Sequence, residues 1–158
     1  SCPNTDDGKC LSDDLESLKN LILKFRETSS RVIVVKVSPD SSEEEVLKVC
    51  EILSNIPKTV INIGNSKYVK ADSVGLSSKT FSKEGGGLSG KSLYSNTLKT
   101  VKLISSKYDL PIIATGGVSS YDNVKELLDN GASLTGMATL LVSDPFQIPL
   151  INYRLSND

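Results

Sequence analysis

Histidine is absent from all 158 residues. Its absence excludes Ser-His and Cys-His nucleophile pairs and every histidine-based metal site within the chain. Acid–base work here falls to cysteine, carboxylates, lysine or tyrosine. Cysteine is scarce. Cys2, Cys10 and Cys50 are odd in number and show no CxxC spacing. That pattern predicts neither a disulfide framework nor a zinc site, and no metal site is expected. A reducing compartment, the cytoplasm, is the simpler setting. No apolar run approaches the length of a membrane span, and no signal peptide is expected. A formal charge of −1 supplies no basic field for nucleic acid or an anionic membrane, and the lysine clusters read as solvated faces.

What is present is ordinary for a globular domain. The chain is 38% hydrophobic and 23% charged, and its length suffices for one domain with a real core. Helical and strand patterns alternate along it. Asp13 and Glu16 predict a helix start ahead of an apolar stripe of Leu15, Leu18, Leu21, Ile22 and Phe25. Residues 31–37 (RVIVVKV) form a nearly continuous β-branched run, the pattern of a buried parallel strand. Glu43, Glu44 and Glu45 put acids in the first turn of a second helix, where the dipole favours them, and Val46, Val49, Cys50 and Leu53 are its inner face. Residues 58–63 (KTVINI) are the next strand.

A polar, Gly/Ser-rich stretch over residues 64–91 follows and reads as a long functional loop. Residues 96–107 predict a helix, 110–114 (LPIIA) a strand, and 120–130 a helix turned inward on Val124, Leu127 and Leu128 and stopped by Gly131. Residues 132–137 are a last strand, and Asp144-Pro145 is expected to open the final helix. Four strands each followed by a helix mean a parallel sheet with right-handed crossovers. An open doubly wound sheet and half of a (β/α)8 barrel both fit. Four strands are too few to close a barrel.

Several short strings carry chemistry. Ser-Cys-Pro-Asn-Thr at residues 1–5 crowds reactive and hydrogen-bonding groups at the very start, as in the back half of an enzyme whose front half lies elsewhere. Lys36 interrupts an apolar strand. A lysine facing a cavity in a barrel interior escapes the cost of burial and is the preferred reading, and an edge-strand lysine is the alternative. Asn65 follows a strand at its C-terminal end, the catalytic rim of a barrel, although Gly-Asn-Ser also suits a simple turn.

Residues 85–92 (GGGLSGKS) match the P-loop expression GxxxxGK[ST] letter for letter. A P-loop needs a strand just before it, and residues 80–84 lack a strand pattern. A glycine-rich loop approaching another anion or ring is preferred, and Lys91 is expected to be dispensable for holding a phosphate. Thr115-Gly116-Gly117-Val118 and Met137-Ala138-Thr139 each follow a strand, where backbone N–H groups make a phosphate cradle. Gly at these points also serves tight turns alone. Cys50 reads as an inert core thiol.

Taken in order, these residues resemble dihydroorotate dehydrogenase, a flavin-dependent (β/α)8 barrel, over nearly the whole chain. The resemblance implies that residues 1–158 are the C-terminal half of an FMN-binding TIM barrel, four parallel strands with flanking helices, with the N-terminal half on another piece of chain. Cys2 is then the catalytic base. Asn4, Asn65 and Ser66 bind the pyrimidine. Lys36, Gly64, Ser89, Gly90, Gly116, Gly117, Met137, Ala138 and Thr139 contact FMN. The implied reaction is oxidation of dihydroorotate to orotate in pyrimidine biosynthesis, with the complementary half-barrel as partner and a homo-oligomer as the complete enzyme. Cysteine as base resembles the soluble class of the family, and Asp144-Pro145-Phe146 resembles the branch that works with an iron–sulfur partner. Alternatives are a non-catalytic half-barrel module, a related dihydropyrimidine dehydrogenase, and a P-loop nucleotide hydrolase.

Overall fold

Four parallel strands form one sheet in the order β1-β2-β5-β6, and the chain visits them in that order. The computed structural model describes residues 14–77, 79 and 84–158. The strands are β1 (Ile33–Val37), β2 (Thr59–Ile63), β5 (Ile112–Thr115) and β6 (Leu134–Gly136). Each crossover carries a helix: α2 (Glu43–Ser54), α3 (Tyr94–Ser105) and α4 (Tyr121–Asp129). Helix α1 (Leu15–Thr28) precedes the sheet, and α5 (Thr139–Ser143) and α6 (Gln147–Leu155) follow it.

Among the described residues only one face of the sheet is covered, and that decides between the two expected architectures. Val35 and Val37 of β1, Ile61 and Ile63 of β2, and Ile112 and Ala114 of β5 are buried in one core with Val49, Leu53, Val101, Ile104, Val124 and Leu127 of the helices. Successive side chains of a strand point to opposite faces. The alternate residues therefore share the other face, where Val34 is 49% and Leu134 62% exposed. A doubly wound sheet would bury both faces. One-sided cover is the arrangement of a barrel segment, whose second face is the barrel interior. The expectation of a strand buried on both sides at residues 31–37 is corrected accordingly, and Lys36 is exposed on the open face.

Local chemistry accounts for the helix boundaries. Ser42 caps α2 in a full capping box: its hydroxyl accepts from Glu45 N, and the Glu45 carboxylate accepts from Ser42 N at 2.7 Å. Those bonds hold the Glu45 carboxyl below its ordinary range. Helix α1 is capped by Asp14, which accepts from Ser17 N and Oγ, one residue later than the Asp13/Glu16 reading. Asp13 itself lies outside the described residues. Of the apolar stripe expected on α1, Leu18 and Ile22 are buried, whereas Leu21 and Phe25 are exposed. The final helix begins at Gln147 rather than at Pro145, because the short α5 intervenes and Asp144 and Pro145 form the turn between them.

The segment read as one long loop contains a second, two-stranded sheet. Here β3 (Lys67–Lys70) pairs antiparallel with β4 (Gly85–Leu88), and a 3-10 turn (Ala71–Val74) follows β3. Its strands are short, and Gly-Gly-Gly-Leu has almost no β propensity, so periodicity could not reveal them. Close approach explains two of its three glycines: a Cβ on Gly85 would stand 2.3 Å from the Val69 carbonyl oxygen, and one on Gly87 2.3 Å from Ser66 Oγ. The hairpin is tied to the end of β1 by Tyr68 N, which donates to Asp40 Oδ2 at 3.0 Å.

Candidate active site

The C-terminal ends of the four strands bring most of the sequence-predicted residues together. Lys36 on β1 is the register partner of Asn62 on β2. The Lys36 ammonium donates to Asn65 Oδ1 at 3.4 Å, and Asn65 Oδ1 also accepts from Ser66 N at 3.0 Å. Gly64 joins Asn62 to Asn65 with a positive φ of 130°, and a Cβ there would lie 1.6 Å from the carbonyl oxygen of Thr115 on β5. No other residue type lets the two strand ends approach so closely.

Asn62 is a residue the sequence reading missed. Its Oδ1 is buried and has no hydrogen-bond partner among the described residues. A buried acceptor without a donor is costly, and in native proteins it calls for a specific reason. It lies on the open face, next to the one lysine of the strand row. A signal did exist in the sequence, since an asparagine interrupts the apolar run Val60-Ile61-Asn62-Ile63.

The turns after β5 and β6 meet the glycine-rich loop. Gly117, Thr139 and Gly90 line one cavity of about 310 Å³, together with Lys91, Ser119 and Asp144. A Cβ on Gly90 would come within 3.7 Å of Thr139 Cγ2, ordinary contact. Gly117 differs. Its φ is +75°, and a Cβ would lie 2.3 Å from Tyr94 N, so glycine is already required there by the packing of the turn on α3. The same corner is braced by Tyr94 Oη, which donates to Glu126 Oε2 at 2.6 Å and to Asn123 O at 3.2 Å. Burial, reinforced by the Glu126 carboxylate, pushes the Tyr94 phenol up to about 12.

The remaining residues are placed as follows. Gly116 packs against Thr97, whose Oγ1 would be 2.7 Å from a Cβ. Ser89 and Ala138 are exposed beside the cavity, and Met137 packs on the core. Cys2 and Asn4 lie outside the described residues. Cys50 is fully buried on α2, and burial pushes its thiol up to about 12. Both features fit the expectation of an inert core thiol. Among the described residues no group of three or more cysteines and carboxylates is placed to hold a metal ion.

A P-loop is excluded by geometry. It requires a strand of the central parallel sheet running straight into the phosphate-binding loop. Here β4 belongs to the separate antiparallel hairpin, and α3 follows only after a 3-10 turn (Lys91–Leu93).

The sequence profile of dihydroorotate dehydrogenase matches residues 1–157. The chain belongs to the dihydroorotate dehydrogenase family. One relative, a dihydroorotate dehydrogenase (quinone) of Actinobacillus pleuropneumoniae serotype 7, is 34% identical over 155 residues, which cover 90% of this chain and 44% of the relative. Another, of Christiangramia forsetii, is 30% identical over 162 residues, covering 98% of this chain and 46% of the relative. The chain thus spans less than half the length of these relatives. Among solved structures, a dihydroorotate dehydrogenase of Eimeria tenella in complex with ferulenol superposes with a TM-score of 0.72 at 22% identity, over 90% of this chain and 43% of the other. That likeness shows the fold of a TIM-barrel segment.

The residues present fit a flavin mononucleotide. The open sheet face offers an unpartnered buried acceptor, Asn62 Oδ1, and a cation, Lys36, to a polar ring system. The cavity at Gly90, Gly117 and Thr139 lies at strand–helix turns, the kind of place where main-chain N–H groups can meet a phosphate.

Proposed function

We propose that the protein containing this chain oxidises dihydroorotate to orotate in pyrimidine biosynthesis, with FMN bound across the C-terminal ends of β1, β2, β5 and β6. The observation that carries this reading is the cluster of Lys36, Asn62 and Asn65 on the uncovered sheet face. The unpartnered Asn62 acceptor is a group waiting for a donor, and the imide N–H of a flavin or a pyrimidine is such a donor.

FMN, when bound, supplies the two-electron acceptor for the hydride leaving C6 of the substrate. The protein's part is proton removal, orientation and charge. Cys2, as thiolate, takes the proton from C5. Asn4, Asn65 and Ser66 hold the planar pyrimidine by its polar edge. Lys36 keeps positive charge where negative charge accumulates. Gly64, Ser89, Gly90, Gly116, Met137 and Ala138 bring main chain close to the cofactor, and Gly117 and Thr139 carry the phosphate turn. A reducing, cytoplasmic setting suits a thiolate base.

The partner that completes the site is a complementary half-barrel. Val34 and Leu134 on the open face, and Val32 at one edge of the sheet, are exposed apolar groups that an intact barrel would cover.

The test is anaerobic mixing of the complete purified protein with dihydroorotate. Bleaching of the flavin absorption, with orotate as product, is expected. Protein that carries flavin and is reduced by dihydrouracil but not by dihydroorotate would move the assignment to a dihydropyrimidine substrate. Flavin that neither substrate reduces would favour a non-catalytic module.

A further inference from the structure

The antiparallel setting of β4 leaves Lys91 without the role its P-loop-like string suggested, and the fold gives it a different one. Lys91 opens the 3-10 turn that leads into α3, and it lines the cavity shared by the turns after β5 and β6. That position is at odds with the expectation that Lys91 is dispensable for holding a phosphate. One other charged residue lines that cavity, Asp144, whose carboxylate accepts from Gln147 Nε2 at 3.1 Å. Neither turn contains arginine.

A flavin phosphate carries between one and two negative charges near neutral pH, since its second pKa is about 6. Main-chain N–H groups would hold it, yet Asp144 would face it with like charge. Resting on the flavin reading above, we propose that Lys91 is the charge partner of the FMN phosphate and selects the phosphorylated flavin over neutral riboflavin. The lysine is exposed, so solvent screens it, and its effect is modest. A contribution to FMN affinity of about 2- to 5-fold matches an exposed charge pair at such a site.

The complete protein, stripped of flavin, would be titrated with FMN and with riboflavin by fluorescence quenching, as wild type, Lys91→Gln and Lys91→Arg. Lys91→Gln should weaken FMN about 2- to 5-fold and leave riboflavin unchanged, while Lys91→Arg stays near wild type. Added salt should weaken FMN binding less in Lys91→Gln than in wild type. An unchanged ratio of riboflavin to FMN affinity in Lys91→Gln would overturn the proposal while leaving the flavin reading standing, and so would equal weakening of both flavins. A wild-type protein that binds neither flavin would overturn both.

Discussion

Lys36 and Asn62 are register partners on neighbouring parallel strands, and the Lys36 ammonium reaches Asn65 Oδ1, three residues beyond that partner, at 3.4 Å. Asn62 itself keeps a buried, unpaired acceptor. The strand row thus holds a cation that is partnered and, beside it, an amide oxygen without a partner among the described residues, on the face where a barrel interior would be.

That unpaired acceptor predicts a trade between stability and function. Asn62→Leu removes the uncompensated group and keeps the volume. The flavin-free protein should gain about 1 kcal/mol, the lower end of the cost of an unsatisfied buried acceptor. Thermal unfolding of the flavin-free form should show the gain, and turnover of dihydroorotate should fall. A variant that is both less stable and fully active would show that the acceptor has no ligand to meet.

Cys2→Ala in the complete enzyme should slow turnover by about 10² to 10⁴, the usual worth of a positioned general base. Flavin content should stay that of wild type, because the base acts on substrate. Stopped-flow reduction by dihydroorotate at the wild-type rate would remove Cys2 from the chemistry.

Gly117→Ala should destabilise the fold before it affects any ligand. Its φ of +75° already costs a Cβ-bearing residue about 1–2 kcal/mol, and the new methyl would press on Tyr94 N. Calorimetry of the flavin-free variant should show the loss. Normal stability combined with lost flavin would instead locate the constraint in the cofactor.

Cys50 should resist alkylation at pH 8 in the native state and react once the chain is unfolded. Burial alone lifts its thiol from an ordinary 9.0 to about 12. The folded pKa is raised, so this group's contribution to stability is complete below pH 9 and is lost as pH rises toward 12. Mass spectrometry of iodoacetamide-treated native protein checks the first point, and an alkaline fall in unfolding temperature checks the second.

Repeating β-branched strands and amphipathic helices made the alternation, the parallel sheet and most of the inner helix faces legible without coordinates. Val46, Val49, Cys50 and Leu53 were identifiable because a helix returns to one face every three to four residues, and burial follows that period. The turns at Gly116-Gly117 and Met137-Ala138-Thr139 were readable for a similar reason, since each sits where an apolar strand stops. Local patterns of this kind depend on neighbours in the chain. Other features depend on which segments meet in space. One covered face, rather than two, distinguished a barrel segment from a doubly wound sheet, and Val34 showed it only by being exposed. The glycine-rich hairpin formed because Lys67–Lys70 found Gly85–Leu88, a pairing that propensity does not encode. Asn62 became a candidate only when the described residues proved to offer its side-chain oxygen no donor, Lys91 left the P-loop only when β4 ran antiparallel to β3, and it joined the turns after β5 and β6 only through the cavity they share. Contacts between residues distant in sequence are set by packing of the whole chain, and no local period records them.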